Sequence, residues 1–317
     1  MARNIKSIAT SVHQRLLTKA RESYRPFNEL LHHFAIERFI YRLSKSPHAV
    51  RFILKGALMF SVWGGPGSRP TMDIDLLGRI DNSLEVIVAA IKDACGMDVE
   101  VDGMSFNTKT VTAARITEDA EYEGVRVRVQ GGLGNARVFL QIDIGFGDVI
   151  VPGPSKVTYP ALLDFPAPEL TGYTMESTIA EKFHTMVKLG VLNSRMKDFY
   201  DIWMLSRTFD FRGELLAEAV EKTFENRNTP ITITPTVFGP SFVKDGDKEV
   251  QWQGFIRKAK LADAPDAFED VVAAVKAFFG PLVASLAEGR TFRGIWKAPG
   301  PWRKSKPSDL RADQSNL

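Results

Sequence analysis

Two short stretches of the chain set carboxylates where they could act together: Arg69-Pro-Thr-Met-Asp-Ile-Asp-Leu-Leu77 and Phe139-Leu-Gln-Ile-Asp-Ile-Gly145. Both have the composition of β-strands. Side chains in a strand alternate with period two, so Asp73 and Asp75 point the same way while Ile74 and Leu76 point to a core. In the second stretch Leu140, Ile142 and Ile144 make the apolar face, which leaves Asp143 on the polar face with Gln141. Like charges held close repel, and a fold tolerates such a cluster mainly when a hard cation such as Mg²⁺ joins it. The chemistry indicated is a metal-assisted reaction of a phosphate. An Asp-x-Asp alone is common at solvated strand ends, so its meaning depends on the elements around it.

Those elements can be read from periodicity. Ile8, Val12, Leu16, Leu17 and Ala20 recur at helical spacing, and after Pro26 so do Phe27, Leu30, Leu31, Phe34, Phe39, Ile40 and Leu43. An apolar run from Phe52, Gly56 and a helical stretch to Trp63 precede the turn-rich residues 64–68 and the Asp73 strand, which reads as helix, loop, strand. A helix carrying Leu84, Ile87, Ala90, Ile91 and Ala94 follows. Three β-like stretches, 110–117, 125–129 and 138–144, come next, the last two joined across residues 131–135. Beyond the Pro-rich link at 152–168 the pattern is helical, with faces made by Ile179, Ala180, Phe183, Met186 and Val187, by Phe199, Ile202, Trp203 and Leu205, and by Phe268, Val271, Val272, Val275, Phe278 and Phe279. The predicted class is α+β, a mixed sheet with a hairpin and flanking helices. Its predicted parts are an N-terminal helical segment (1–48), a core (49–160), a C-terminal helical region (161–290) and a basic tail (291–317) that is mobile or ordered only on a partner.

Composition bounds the rest. The chain has 317 residues, 44% hydrophobic and 25% charged, enough for one large domain or two modest ones. Cys95 is the single cysteine, which excludes an intramolecular disulfide and a Cys-based zinc site and fits a reducing cytoplasm. The opening residues lack an apolar leader, and no stretch reads as the roughly 18 apolar residues of a membrane span. The net charge of +3 is uneven: residues 1–55 hold eleven Lys or Arg against three Glu, and residues 290–317 hold seven against two Asp. Basic ends around an acidic centre could neutralise nucleic-acid phosphates, or could be solvated helix faces and a tail.

Further residues fit the same chemistry. Gly56, at a helix start after Lys55, would let backbone N–H groups approach a triphosphate, and a lysine would neutralise charge on departing pyrophosphate. Lys182 is a candidate, though it could equally pair with Glu176 or Glu181 on its own helix. Asp198 and Asp201 could be residues of a first helical turn favoured by the helix dipole. Arg69, Arg126, Arg128 and Arg195 could bind phosphates or face solvent; Arg69 and Arg195 adjoin the motifs.

The ordered set Glu37-Arg-Phe-Ile-Tyr-Arg-Leu-Ser44, Phe52-Ile-Leu-Lys-Gly-Ala57, Arg69 to Leu76, Ile142-Asp-Ile-Gly145, Ala180-Glu-Lys182 and Arg195-Met-Lys-Asp-Phe-Tyr-Asp201 resembles the AbiEii/AbiGii family of toxin nucleotidyltransferases, relatives of the MenT toxins in the polymerase β-like superfamily. The resemblance implies a nucleotidyltransferase core in which Asp73, Asp75 and Asp143 bind Mg²⁺. It makes Asp73, Lys182 and Asp198 catalytic, and sets Lys55, Gly56, Ala57, Arg69 and Thr71 around the nucleotide, with Arg195 and Asp201 able to contact substrate. Thr71 matches a hydroxyl that antitoxins of MenT-type systems can phosphorylate. Ala57 departs from the usual second glycine or serine and supplies no hydroxyl. The implied reaction moves a nucleoside monophosphate from an NTP to RNA, with tRNA 3′ ends the leading acceptor, and blocks translation. The implied partner is a cognate antitoxin with a DNA-binding domain. Nucleotidylation or phosphorylation of a protein, and a non-catalytic RNA-binding module, are the competing readings.

Overall fold

The alternation of Asp73 and Asp75 with Ile74 and Leu76 is realised in a seven-stranded mixed sheet of order β3-β4-β5-β2-β1-β7-β6. The computed structural model describes residues 2–64, 71–119 and 122–305. They form two compact units, the first running to Asp148 and again over Pro154–Tyr173, the second taking Val149–Gly153 and the chain from Thr174. The two opening helices thus belong with the sheet, and the main change of unit falls after Tyr173.

The first unit contains α1 (Ala2–Glu22), α2 (Phe27–Lys45), β1 (Phe52–Lys55), α3 (Leu58–Trp63), β2 (Asp73–Gly78), α4 (Leu84–Cys95), β3 (Met104–Asp119), β4 (Tyr122–Leu133), β5 (Ala136–Phe146), β6 (Ser155–Thr158) and β7 (Glu169–Gly172). The apolar run at Phe52 is a strand rather than the first turn of a helix. Phe52, Ile53 and Leu54 are all buried, the continuous pattern of a strand covered on both faces. β2 runs parallel to β5, while β4 is antiparallel to both β5 and β3. Leu54, Ile74, Leu76, Val127, Leu140, Ile142 and Ile144 form the core face, against which α2 and α4 pack. Cys95 belongs to this core, and burial pushes its thiol up to about 12.

Part of the N-terminal positive charge is spent inside this unit. Arg42 grips Asp102 through two hydrogen bonds of 2.7 and 2.9 Å, both partners being buried. Arg38 lies beside Glu37 at 2.6 Å and against the rings of Phe34, Tyr41 and Phe165. Arg25 pairs with Glu29 and Arg15 with Asp164. These four arginines are committed within the fold, which weakens the reading of the N-terminal segment as a nucleic-acid face.

His33 on α2 bonds the Tyr159 hydroxyl at 2.7 Å. Burial and the nearby Arg25 charge lower His33 from 6.5 to about 4, with Glu29 opposing and His32 adding to the effect. The folded state therefore disfavours the imidazolium: the stabilisation is complete above the unfolded value of 6.5 and is lost as pH falls from there towards 4. Melting temperature should drop by several degrees over that window. His33→Gln should flatten the slope, as checked by thermal melts across a pH series.

The second unit contains α5 (Met175–Leu189), α6 (Met196–Thr208), β8 (Phe211–Arg212), α7 (Gly213–Asn226), α8 (Pro240–Val243), α9 (Gly246–Ala259), α10 (Phe268–Ala287), β9 (Gly294–Trp296) and β10 (Trp302–Lys304). Its core is aromatic. Phe183 stacks on Phe279 with centroids 3.9 Å apart and touches Phe224 and Phe238, while Phe199, Phe242, Trp252 and Phe268 form a second cluster. By length and composition α10 could cross a membrane, contrary to the expectation that no stretch comes near that pattern. Its apolarity has a local cause, since Phe268, Val271, Val272, Val275, Phe278, Phe279, Leu282 and Val283 are buried within this unit.

The expected tail also needs correction. Residues 294–304 supply two strands of a small sheet, β10-β9-β8. Trp296 donates its indole N–H to the Ser206 carbonyl at 2.6 Å, and Trp302 donates to that of Phe278 at 2.7 Å. Two large rings with satisfied donors anchor a segment whose prolines and three-residue strands carry no readable period. Residues from 306 onward lie outside the described residues.

Candidate active site

Strand register aligns four charged residues in one row across the first unit's sheet. Lys55 on β1 lies opposite Asp75 on β2, Asp75 opposite Asp143 on β5, and Asp143 opposite Arg126 on β4. Neighbouring strands are about 4.8 Å apart, so two adjacent carboxylates have a cation on each flank. In the next row Asp73 lies opposite Gln141, and Gln141 opposite Arg128. Asp73 is exposed, whereas Asp75 and Asp143 are half-buried.

The side chains complete this pattern. Arg126 holds Asp143 bidentately, Nε to Oδ1 at 2.8 Å and Nη2 to Oδ2 at 2.7 Å. Gln141 donates its amide to Asp73 Oδ1 at 3.1 Å and to Asp143 Oδ2 at 3.4 Å, so one amide spans two of the three carboxylates. Lys55 Nζ meets the buried carboxylate of Asp148 at 2.6 Å and lies 5.1 Å from the centre of the Tyr173 ring. Arg126 thus offsets part of the carboxylate repulsion, the role expected of a bound cation from the sequence alone, while the Lys55 amine is seen on Asp148.

Among the described residues no three Asp, Glu, His or Cys side chains converge as a ready-made metal site. The donor set is nonetheless right in kind for Mg²⁺, which takes hard oxygen ligands. Asp73 and Asp75 share one sheet face with Asp143, whose oxygens are held by Arg126. Arg126 takes one lone pair on each oxygen of Asp143, so a cation would have to use the remaining ones or displace the guanidinium.

Gly56 serves Asp75 directly. Its φ is +70°, and a β-carbon there would sit 2.0 Å from Asp75 Oδ2. The turn Gly56-Ala57 links β1 to α3, a helix of six residues. Thr71 donates its hydroxyl to the Asp73 carbonyl at 3.4 Å. His32 on α2 bonds the Met72 carbonyl at 2.8 Å through Nε2, tying the approach to Asp73 onto a helix. Arg69 lies outside the described residues. Sequence reasoning missed His32, Asp148 and the pairing of Arg126. Alternation through Val125-Arg-Val-Arg-Val129 does set Arg126 and Arg128 on one face, but only register shows which carboxylate they meet.

The second unit holds the other charged set. Lys182 on α5 meets Asp198 Oδ1 at 3.0 Å and Asp201 Oδ2 at 2.8 Å, both on α6. Arg195, just before α6, donates Nε to Asp198 Oδ2 at 2.7 Å. Side-chain exposure is 13% for Lys182, 2% for Asp198 and 0% for Asp201. Burial works to raise the Asp198 carboxyl, but the charges of Lys182 and Arg195 and their hydrogen bonds outweigh it and hold the group well below the usual carboxylate range. Lys182 is therefore anchored across two helices rather than lying along its own. Asp201, expected to contact substrate, is fully buried and grips Lys182.

The polar face of this mixed sheet thus sets carboxylates between cations, a donor set suited to charged groups of either sign. The family model for the nucleotidyl transferase AbiEii toxin of type IV toxin-antitoxin systems matches residues 38–274. The chain belongs to this family. Two solved structures resemble it at 15% identity: one described as "Crystal structure of putative nucleotidyltransferase from H. pylori", covering 82% of this chain and 96% of its own with a TM-score of 0.43, and JHP933 from Helicobacter pylori, covering 82% and 94% with a TM-score of 0.44. No curated protein matches the chain in sequence.

Proposed function

We propose that this chain transfers the nucleoside monophosphate of an NTP to a hydroxyl of an RNA acceptor, with tRNA 3′ ends the leading candidate, and thereby blocks translation. The observation that supports this most is the row Lys55, Asp75, Asp143, Arg126, which joins anionic ligands for a cation to cationic ligands for phosphate on one face. The acceptor oxygen attacks the α-phosphorus, the bond to the bridging oxygen breaks, and pyrophosphate leaves. Asp73, Asp75 and Asp143 are the residues that would hold Mg²⁺, which when bound neutralises phosphate charge and eases loss of the acceptor proton. Asp73, the most exposed of the three, receives that proton. Arg126 exchanges Asp143 for a phosphate oxygen, a bidentate partner of similar geometry. Gln141 keeps Asp73 oriented. Lys182 retains the catalytic role implied by the family resemblance, with Asp198 and Asp201 positioning it within its own unit. A cognate antitoxin, of DNA-binding type, restrains the activity in the cytoplasm, where NTPs and tRNA are found.

The test is transfer of label from each α-labelled NTP to total RNA. Label should appear at RNA 3′ ends, chelation of Mg²⁺ should stop it, and Asp75→Asn should reduce it by on the order of 100-fold or more. Undiminished transfer by Asp75→Asn would sink the mechanism. Label entering protein but not RNA would assign a different acceptor.

A further inference from the structure

The polar face of the sheet continues beyond the carboxylates. On β5, Asp143 and Gln141 are followed on the same face by Phe139 and Arg137, and on β4 Arg126 is followed by Arg128 and Gln130. Phe139 is 67% exposed, so its ring is open to solvent in the middle of a strand. Cross-strand register sets it opposite Gln130, so no neighbouring apolar side chain on β4 covers its ring. Arg128 and Arg137 are exposed, and among the described residues neither has an ion-pair partner. That contrasts with Arg15, Arg25, Arg38 and Arg42, all of which are paired. Phe139 precedes Asp143 by four residues of one strand, about 13 Å at strand rise, and Arg128 lies between them, opposite Gln141.

We propose that the open face of β3, β4 and β5 is the track along which a single-stranded RNA end reaches the carboxylates, Phe139 stacking a base and Arg128 and Arg137 meeting its phosphates. The proposal rests on the nucleotidyl-transfer reading and names where its acceptor lies. An exposed ring flanked by uncommitted guanidinium groups on a flat face is how proteins hold unpaired nucleotides without reading their sequence. A peptide acceptor would make less of this face, because its two exposed guanidinium groups match phosphates rather than an uncharged backbone. A duplex would hide its base faces from Phe139, so the recognised portion is single-stranded.

Fluorescence anisotropy of a short labelled oligoribonucleotide with a free 3′ hydroxyl, titrated with the full chain, tests this. Phe139→Ala should weaken binding roughly tenfold while Phe139→Tyr retains it, since only the ring's face is needed. Arg128→Ala with Arg137→Ala should weaken binding and reduce the slope of log affinity against log salt by about 1.4, the value for two lost phosphate contacts on a single strand. In the transfer assay the same variants should raise KM for RNA. Unchanged affinity and salt slope in these variants, with transfer by the unaltered protein intact, overturn the track and leave the enzymatic reading standing. So does a fall in protein labelling with RNA binding untouched, which would give the face to a protein. Binding that depends on Phe139 in a chain that transfers nothing supports the face and overturns the enzymatic reading instead.

Discussion

Gly56→Ala is expected to abolish nucleotidyl transfer and to lower the melting temperature by several degrees. Two independent constraints act at this position. The backbone sits at φ +70°, where a side chain costs roughly 1 kcal/mol or more. The added β-carbon would also lie 2.0 Å from Oδ2, 2.7 Å from Cγ and 2.8 Å from Cβ of Asp75. Rotating the carboxylate away relieves the first two clashes but not the third, because Asp75 Cβ is fixed by a strand paired on both sides. The turn must therefore shift and Asp75 must leave its row, so activity should fall by on the order of 100-fold or more, as for loss of the carboxylate itself. Ala57→Gly, at the adjacent residue with ordinary helical geometry (φ −70°), should leave transfer nearly intact. Steady-state transfer rates and thermal melts of the two variants check this. Full activity in Gly56→Ala would mean that the chemistry does not need Asp75 where the fold holds it.

The three sheet carboxylates were legible in the sequence because strand alternation is a local property: Ile74 and Leu76, Leu140 and Ile142 reveal which way Asp73, Asp75 and Asp143 point. Their partners were not, because register is non-local. Nothing within Val125-Arg-Val-Arg-Val129 says that Arg126 rather than Arg128 meets Asp143, and nothing near Lys55 points to Asp148, 93 residues on. β1 was hidden by being buried on both faces, which removes the period that distinguishes a strand from a buried helix. At the C-terminus the strands around Trp296 and Trp302 are three residues long, too short to carry any period. The helical spacing of α10 was plain, since Val271, Val275, Phe278 and Leu282 recur on one stripe. The second unit's charged set was half legible: Lys182 and Asp198 could be picked out by family resemblance, but a lysine beside Glu181 gave no sign that its charge goes to the next helix.

Lys182→Ala is expected to lose activity for a reason that does not by itself implicate Lys182 in the chemistry. It removes the cation shared by Asp198 and Asp201, at 2% and 0% side-chain exposure, while Arg195 stays on Asp198. Removing one partner of a buried ion set in this way costs about 3–5 kcal/mol, on the order of 10 °C in melting temperature. Replacing all three groups, Lys182→Met with Asp198→Asn and Asp201→Asn, removes the buried charges together and should recover most of that stability. If Lys182 acts on the phosphates, the triple variant melts close to the unaltered protein and still transfers nothing; recovery of transfer along with stability would show that Lys182 only holds the helices together. Acid stability separates the same alternatives at the level of folding. Asp198 is held below its unfolded value of 3.8, so its stabilisation is present above about that pH and is lost as pH falls below it. The unaltered protein should therefore lose melting temperature on acidification below pH 4, and the triple variant, which has no carboxylate left to protonate there, should show a flatter acid limb.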